Sequence, residues 1–274
     1  MAKRLKLVLS AIIFFSFPLF LSAQSNIYQV FSLDDQFVVY SEDPSLAQEG
    51  ALSAEKVRTD LFQRLGWISY SQYPTQIWLL KGEPSSDASI QSSLEWKEGG
   101  WVKTLRISMQ ENLYSETLPR YIIEIFLKEL ALGSDQERSQ SVWIPLWLVE
   151  GLRQSLTPEK STGGFSTLAF DLPQLFLQEE VFTDSVRKEQ FAKPSQKFLD
   201  YLLELPDGQK KLKQYIRLLA ISQSPEKTFF QVYQSDFKDF QELKFSWNKK
   251  WYATSPKKER HELILEYLDS LEAN

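Results

Sequence analysis

No cysteine occurs in this chain of 274 residues, and there is a single histidine, His261. The first absence excludes disulfides, thiol nucleophiles, iron–sulfur clusters and every cysteine-based zinc site. The second excludes a pair of histidines one helical turn apart, and leaves Ser-His-Asp chemistry with one candidate base and no Gly-x-Ser-x-Gly elbow to serve it. Positive charge is also scarce. The formal net charge is -5, and it falls to -8 without Lys3, Arg4 and Lys6. A nucleic-acid partner is therefore not expected. Aromatic residues are plentiful at 14%, eight of them tryptophans, enough to build a substantial core.

The opening segment, "MAKRLKLVLSAIIFFSFPLFLSAQ", has a basic start, a short apolar run containing Pro18 and small residues before Gln24. It reads as a signal peptide over 1–23, cleaved near Ala23–Gln24. The run is short for a membrane span and no basic stop-transfer stretch follows it. With no cysteine after it, lipoprotein processing is excluded. The expectation is export to the periplasm or beyond the cell, with membrane contact only through the uncleaved signal.

Beyond it, residues 27–41 read as a hairpin around Asp34-Asp35, and 53–67 as a helix with apolar Val57, Leu61, Phe62 and Leu65, ended by Gly66. Residues 75–81 read as a buried strand, 82–95 as a Ser/Gly/Asp-rich loop, and 101–109 as a strand entered through Gly99-Gly100. From Leu118 the pattern turns helical. One helix covers 118–132 and closes at Gly133, a polar connector follows, and a second helix has Pro145 in its first turn. Residues 157–190 read as mixed loop and helix. Helices over 195–205, 208–222, 225–234 and 239–253 come next, then an amphipathic C-terminal helix over 255–274. Strands first and helices after predict an α+β fold: a β-rich lobe over 24–116 and a helical lobe over 117–254.

Placed at about 100° per residue, helix 118–132 puts Arg120, Glu124, Lys128 and Ala131 on one stripe. Leu118, Ile122, Ile125, Phe126 and Leu130 take the opposite arc, with Glu129 near its centre. A carboxylate there is costly unless it is paired, protonated or faces a cleft. Glu124 reads as a solvated pair with Arg120 and Lys128, four residues away on either side.

"WIPLWLVEGLRQSL", residues 143–156, follows this helix. The combination resembles the thermolysin-like gluzincin peptidases, in which His-Glu-x-x-His lies on one helix and Trp-Leu-x-Glu-Gly-Leu on the next. The resemblance extends over most of 27–252. It implies that "KELAL" (128–132) takes the first motif, with Glu129 at the general-base position and Lys128 and Leu132 in place of both histidines. Glu150 takes the third metal-ligand position. A second register, "IEIFL" (123–127), makes Glu124 the vestigial base and also lacks both histidines. The resemblance thus implies a gluzincin-like lobe without zinc or another cofactor, and with no catalytic residue in use. Lys128, near Glu129 or Glu150, is the expected stand-in for the metal's charge. Tyr121, Trp143 and Trp147 are candidates to line the cleft, as rings that stack a ligand or as core and rim packing.

The function expected is that of an exported pseudo-peptidase, binding or scaffolding a protein or peptide in the cell envelope. The alternative is a weak hydrolase using Glu129 and Glu150 with a non-canonical or borrowed metal. "HELIL" (261–265) reads as a solvent-facing terminal helix, and the basic run 208–217 as a solvated face.

Overall fold

The computed structural model describes residues 26–67, 72–81, 89–109, 114–133, 142–157, 172–178, 185–222 and 224–254. The signal peptide, the connector 134–141 and the C-terminal helix with His261, all expected from sequence, lie outside the described residues.

The expected hairpin is β1 (Tyr28–Phe31) paired antiparallel with β2 (Phe37–Ser41). Its turn is held by side chains. Asp34 accepts from the Ser32 hydroxyl at 2.8 Å and from the Gln36 N–H at 3.1 Å, and Asp35 adopts φ 58°. Asn and Asp are the non-glycine residues that enter the left-handed region most readily.

Helix α1 (Pro44–Leu65) is longer than the sequence pattern suggests. It starts nine residues earlier, with Asp43 accepting from the Ser45 and Leu46 N–H groups and Pro44 in the first turn. Its first half carries no strong apolar period, because its buried face is made of small residues, Ala47, Gly50, Ala51 and Ala54, rather than large apolar ones. A side chain at Gly50 would start 2.8 Å from Leu79 Cδ1 and 3.3 Å from Val39 Cγ1, so the helix lies very close to the sheet. At the other end Gly66 takes φ 57° and closes the helix as expected.

Strands β3 (Thr75–Lys81), β4 (Ser89–Lys97) and β5 (Gly100–Met109) complete a five-stranded mixed sheet of order β1-β2-β3-β5-β4. β2, β3 and β5 run parallel, while β1 and β4 are antiparallel edges. Strand β4 corrects the expectation of a loop over 82–95. Gln91, Ser92 and Ser93 are exposed, and Ile90, Leu94 and Trp96 on one face are half-buried against the core. That is an edge strand with one apolar face, and its Ser-rich composition hides the period of two.

The helical part follows as α2 (Tyr114–Leu132), α3 (Leu146–Leu156), α4 (Leu172–Leu177), α5 (Ser185–Glu204), α6 (Gly208–Leu219), α7 (Pro225–Val232) and α8 (Phe240–Thr254). The chain is α+β, with the sheet near the N-terminus and helices after it. The lobe boundary expected at 116/117 falls inside α2. This helix packs on both parts: Phe126 meets Phe37 of β2 and Phe62 of α1 edge-on, at 5.9 and 5.5 Å between ring centres, and Arg120 reaches Glu150 of α3. One apolar cluster runs from Phe37 to Leu243.

Helix α5 starts ten residues before the expected Ser195 and carries Pro194 inside it. Helix α6 does more than present a solvated basic face. Lys213 donates to the Gly66 carbonyl and Gln209 to that of Arg64, both at 3.0 Å, so α6 caps the exposed end of α1.

Candidate functional site

Helix α2 carries acidic residues on opposite sides, and the structure separates them. Glu129 is about 180° around the helix from Arg120 and faces the sheet. Lys103 of β5 donates to it at 3.1 Å. Lys103 has no exposed side-chain surface, and its ammonium lies 5.4 Å from the centre of the Phe126 ring. Burial lowers the Lys103 pKa from its ordinary 10.5, Glu129 opposes that shift, and nearby Arg58 adds to it. Arg58 is itself held by Asp34, at 2.7 Å. Glu129 is therefore one end of an ion pair that ties α2 to the sheet.

The other side of α2 meets α3 at Glu150, which is 4% exposed. Arg153, one turn further along α3, donates through Nε to Glu150 Oε2 at 2.7 Å. Arg120 reaches across from α2 and places Nε 3.0 Å from Oε1. This second contact is a charge pair without an aligned hydrogen bond, so Arg120 Nε and Glu150 Oε1 both remain buried with no hydrogen-bond partner. The Arg120 guanidinium stands over the ring of Tyr121, 5.1 Å from its centre. Burial raises the Tyr121 pKa above 10.0. Arg120 works against the rise, and Glu124 and Glu150 add to it.

The expected pairing of Lys128 with Glu129 or Glu150 is not what the fold builds. Lys128 pairs with Glu124 at 2.7 Å, both side chains 23% exposed, as an i,i+4 pair on the partly solvated stripe. The charge opposite Glu150 comes from Arg120 and Arg153, and that opposite Glu129 from Lys103. Arg120 accordingly leaves the pairing with Glu124 that its spacing suggests. A longer side chain with a planar fork spans the gap between two helices, while the lysine folds back along its own. Glu124, only about 40° from Arg120 around the helix, shares the side facing Glu150. Of the two alignments that the resemblance implies, "IEIFL" has its glutamate, Glu124, on the partly exposed side of α2 with Lys128, and "KELAL" has Glu129 against Lys103 of the sheet. Ile123, Leu127 and Leu132, at histidine positions of the two registers, are buried apolar residues.

The aromatic candidates divide. Trp143 is 39% exposed and Tyr121 half-buried. Trp147 does not line a cleft. It is fully buried against Phe176, Phe198 and Tyr215, with ring centres 5.7, 5.1 and 6.2 Å away.

Arg153 and Lys103 were absent from the sequence reading, although both left a signal. Arg153 is three residues from Glu150 on one helix. Lys103 alternates with Trp101, Leu105 and Ile107, which places it on the buried face of β5.

The Glu150–Gly151 step has a packing reason. A side chain on Gly151 would begin 2.7 Å from the carbonyl oxygen of Ser195, so α3 and α5 touch backbone to backbone there. Ser195 turns its hydroxyl back to the Phe191 carbonyl at 2.7 Å and leaves that surface smooth.

As a metal centre the donor set is poor. Among the described residues no three His, Cys, Asp or Glu side chains converge, and both oxygens of Glu150 face guanidinium groups. What the arrangement offers is a fixed arginine beside a phenol on a partly exposed helix face. Comparison of the chain with family models, curated proteins and solved structures returns no match.

Proposed function

We propose that this chain is an exported, non-hydrolytic relative of the gluzincin peptidases, acting in the cell envelope by binding a peptide or protein. The observation that carries the reading is the charge arrangement at Glu150. In the Trp-Leu-x-Glu-Gly-Leu run its carboxylate stands where the resemblance implies a third zinc ligand. Two arginines at 2.7 and 3.0 Å supply the positive charge that a metal would otherwise provide. Arginines can hold a carboxylate and orient helices. They cannot lower the pKa of a bound water or polarise a scissile carbonyl as zinc does. The order of elements, a small sheet, a motif helix and then the helix of Glu150, also supports the reading.

The test is the metal content of the protein over residues 24–274, purified without chelator, together with zinc titration by calorimetry. The expected result is no stoichiometric metal and no heat of binding. One tightly bound zinc per chain, or peptide cleavage that a chelator abolishes, overturns it.

A further inference from the structure

We propose that β1 is the contact through which two copies of this chain associate, edge to edge, as antiparallel strands related by a two-fold axis at Val30. The contact involves neither α3 nor Glu150 and does not rest on the reading above.

Three observations converge. The first is an open edge. β1 ends the strand order and, among the described residues, pairs only with β2. The Ser32 N–H bonds to the Phe37 carbonyl, so in the alternating pattern of an antiparallel ladder Val30 and Tyr28 also turn their backbone groups toward β2. Gln29 and Phe31 then aim N–H and C=O outward, where another strand can pair with them. The usual protections of an edge are missing. Residues 26–33, "NIYQVFSL", contain no charge and no proline. The opposite edge, β4, carries Glu95 and Lys97, paired at 3.6 Å.

The second is apolar surface. Five of the nine large apolar side chains exposed among the described residues gather here: Ile27, Tyr28, Phe31, Leu33 and Leu52, between 43 and 87% exposed. Leu52 lies three residues before Glu55 on α1, and Glu55 accepts from the Leu33 N–H at 3.0 Å, which puts this side of α1 beside the strand. At ~200 Å² for each large side chain, just over half exposed, the set offers roughly 500 Å² per copy. Two copies together reach the ~1,000 Å² that a specific interface needs, before backbone and polar neighbours are counted.

The third is self-complementarity, which a two-fold contact requires. Pairing about Val30 sets Val30 opposite itself, Gln29 opposite Phe31 and Ile27 opposite Leu33 of the second copy, and no charge meets its own kind. Phe31 stands beside Val38 on the sheet face away from α1, and Tyr28 on the face toward it, so the seam is apolar on both faces. An added peptide strand covers the backbone of β1 and leaves Leu52 bare. A second copy brings its own α1 to cover it.

The experiment uses the protein over residues 24–274 in sedimentation velocity from about 1 to 100 µM. The expected result is a concentration-dependent dimer. Phe31→Lys places a charge on the edge and is expected to weaken association about tenfold. Gln29→Pro removes an outward N–H that β2 does not use. It is expected to weaken association as much and to leave the fold intact, with unfolding midpoints of both variants as the check. The chain has no cysteine, so Val30→Cys introduces a single thiol. Oxidation with copper–phenanthroline is expected to link it to the same thiol of the second copy, and to leave Ser93→Cys, on β4, unlinked.

A monomer across this range overturns the proposal. So does a dimer that persists in folded Phe31→Lys and Gln29→Pro proteins, or one that Ser93→Cys links as well as Val30→Cys. A monomer that takes up a synthetic peptide of alternating valine and threonine, with uptake lost in Phe31→Lys, assigns the edge to a strand of another protein. One that sediments with phosphatidylglycerol vesicles assigns it to a bilayer. Either result overturns the second copy.

Discussion

The two sides of α2 solve one problem in different ways. Toward the sheet, a buried lysine meets a buried glutamate, Lys103 to Glu129, in an aligned hydrogen bond. Toward α3, two arginines meet one glutamate, and one of the contacts leaves both of its atoms without a hydrogen bond. An aligned pair of this kind makes a structural tie. A contact that leaves a buried donor and a buried acceptor unaligned makes a looser one. Burial alone does not distinguish them, since Glu129 and Glu150 are 8% and 4% exposed. Hydrogen-bond satisfaction does.

The largest effect belongs to the aligned pair. Lys103→Met leaves Glu129 buried without its cation and is expected to cost ~3–5 kcal/mol in urea unfolding. Lys103→Met combined with Glu129→Leu should recover most of that loss, because a buried pair replaced as a unit is often neutral. Full loss in the double variant would break the contrast, since the pair would then be supporting more than itself.

Glu150→Gln comes next. It keeps the shape but removes the charge facing Arg120 and Arg153, and is expected to cost ~1–3 kcal/mol. A loss as large as that of Lys103→Met would mean that the α3 side is just as tightly held.

The pH dependence sharpens the same contrast. Lys103 has a folded pKa below 10.5 because it is buried, so between that lowered value and 10.5 the unfolded chain holds a proton the folded chain lacks. Stability contributed by this group therefore rises with pH across that window. Unfolding midpoints should show the rise in the wild type and lack it in the Lys103→Met/Glu129→Leu protein. The readings are best taken below pH 10, before the tyrosines of the unfolded chain ionise.

The smallest effect is at the surface. Glu124→Gln breaks only the i,i+4 pair with Lys128 and should change stability by less than ~0.5 kcal/mol. A larger loss would place Glu124 in the inner network with Arg120.

Much of the architecture was legible because its signals are local. The hairpin at Asp34-Asp35, the stop at Gly66, the stop at Gly133 and the start at Pro145 are each set by one or two residues with a backbone preference. Strand β4 and the first half of α1 were not, because their buried faces are made by serine-spaced or small residues whose role depends on what packs against them. The candidate site was legible in part. Glu129 was recognised as out of place on an apolar face, and Glu150 by its motif. Their partners were not, since Lys103 lies 26 positions before Glu129 and on another element. Spacing on a single helix favoured Lys128 for the same reason. It reports which residues can meet along an element, and says little of what a neighbouring element brings.

Gly151 has a mechanical consequence. Any side chain at 151 would force α3 and α5 apart, so the spacing of these two helices, and with it the seat of Glu150, depends on a residue that has none. Arg120 belongs to α2, which Lys103 ties to the sheet through Glu129. A larger residue at 151 would therefore be felt one helix away, as a change in the 3.0 Å contact between Glu150 and Arg120.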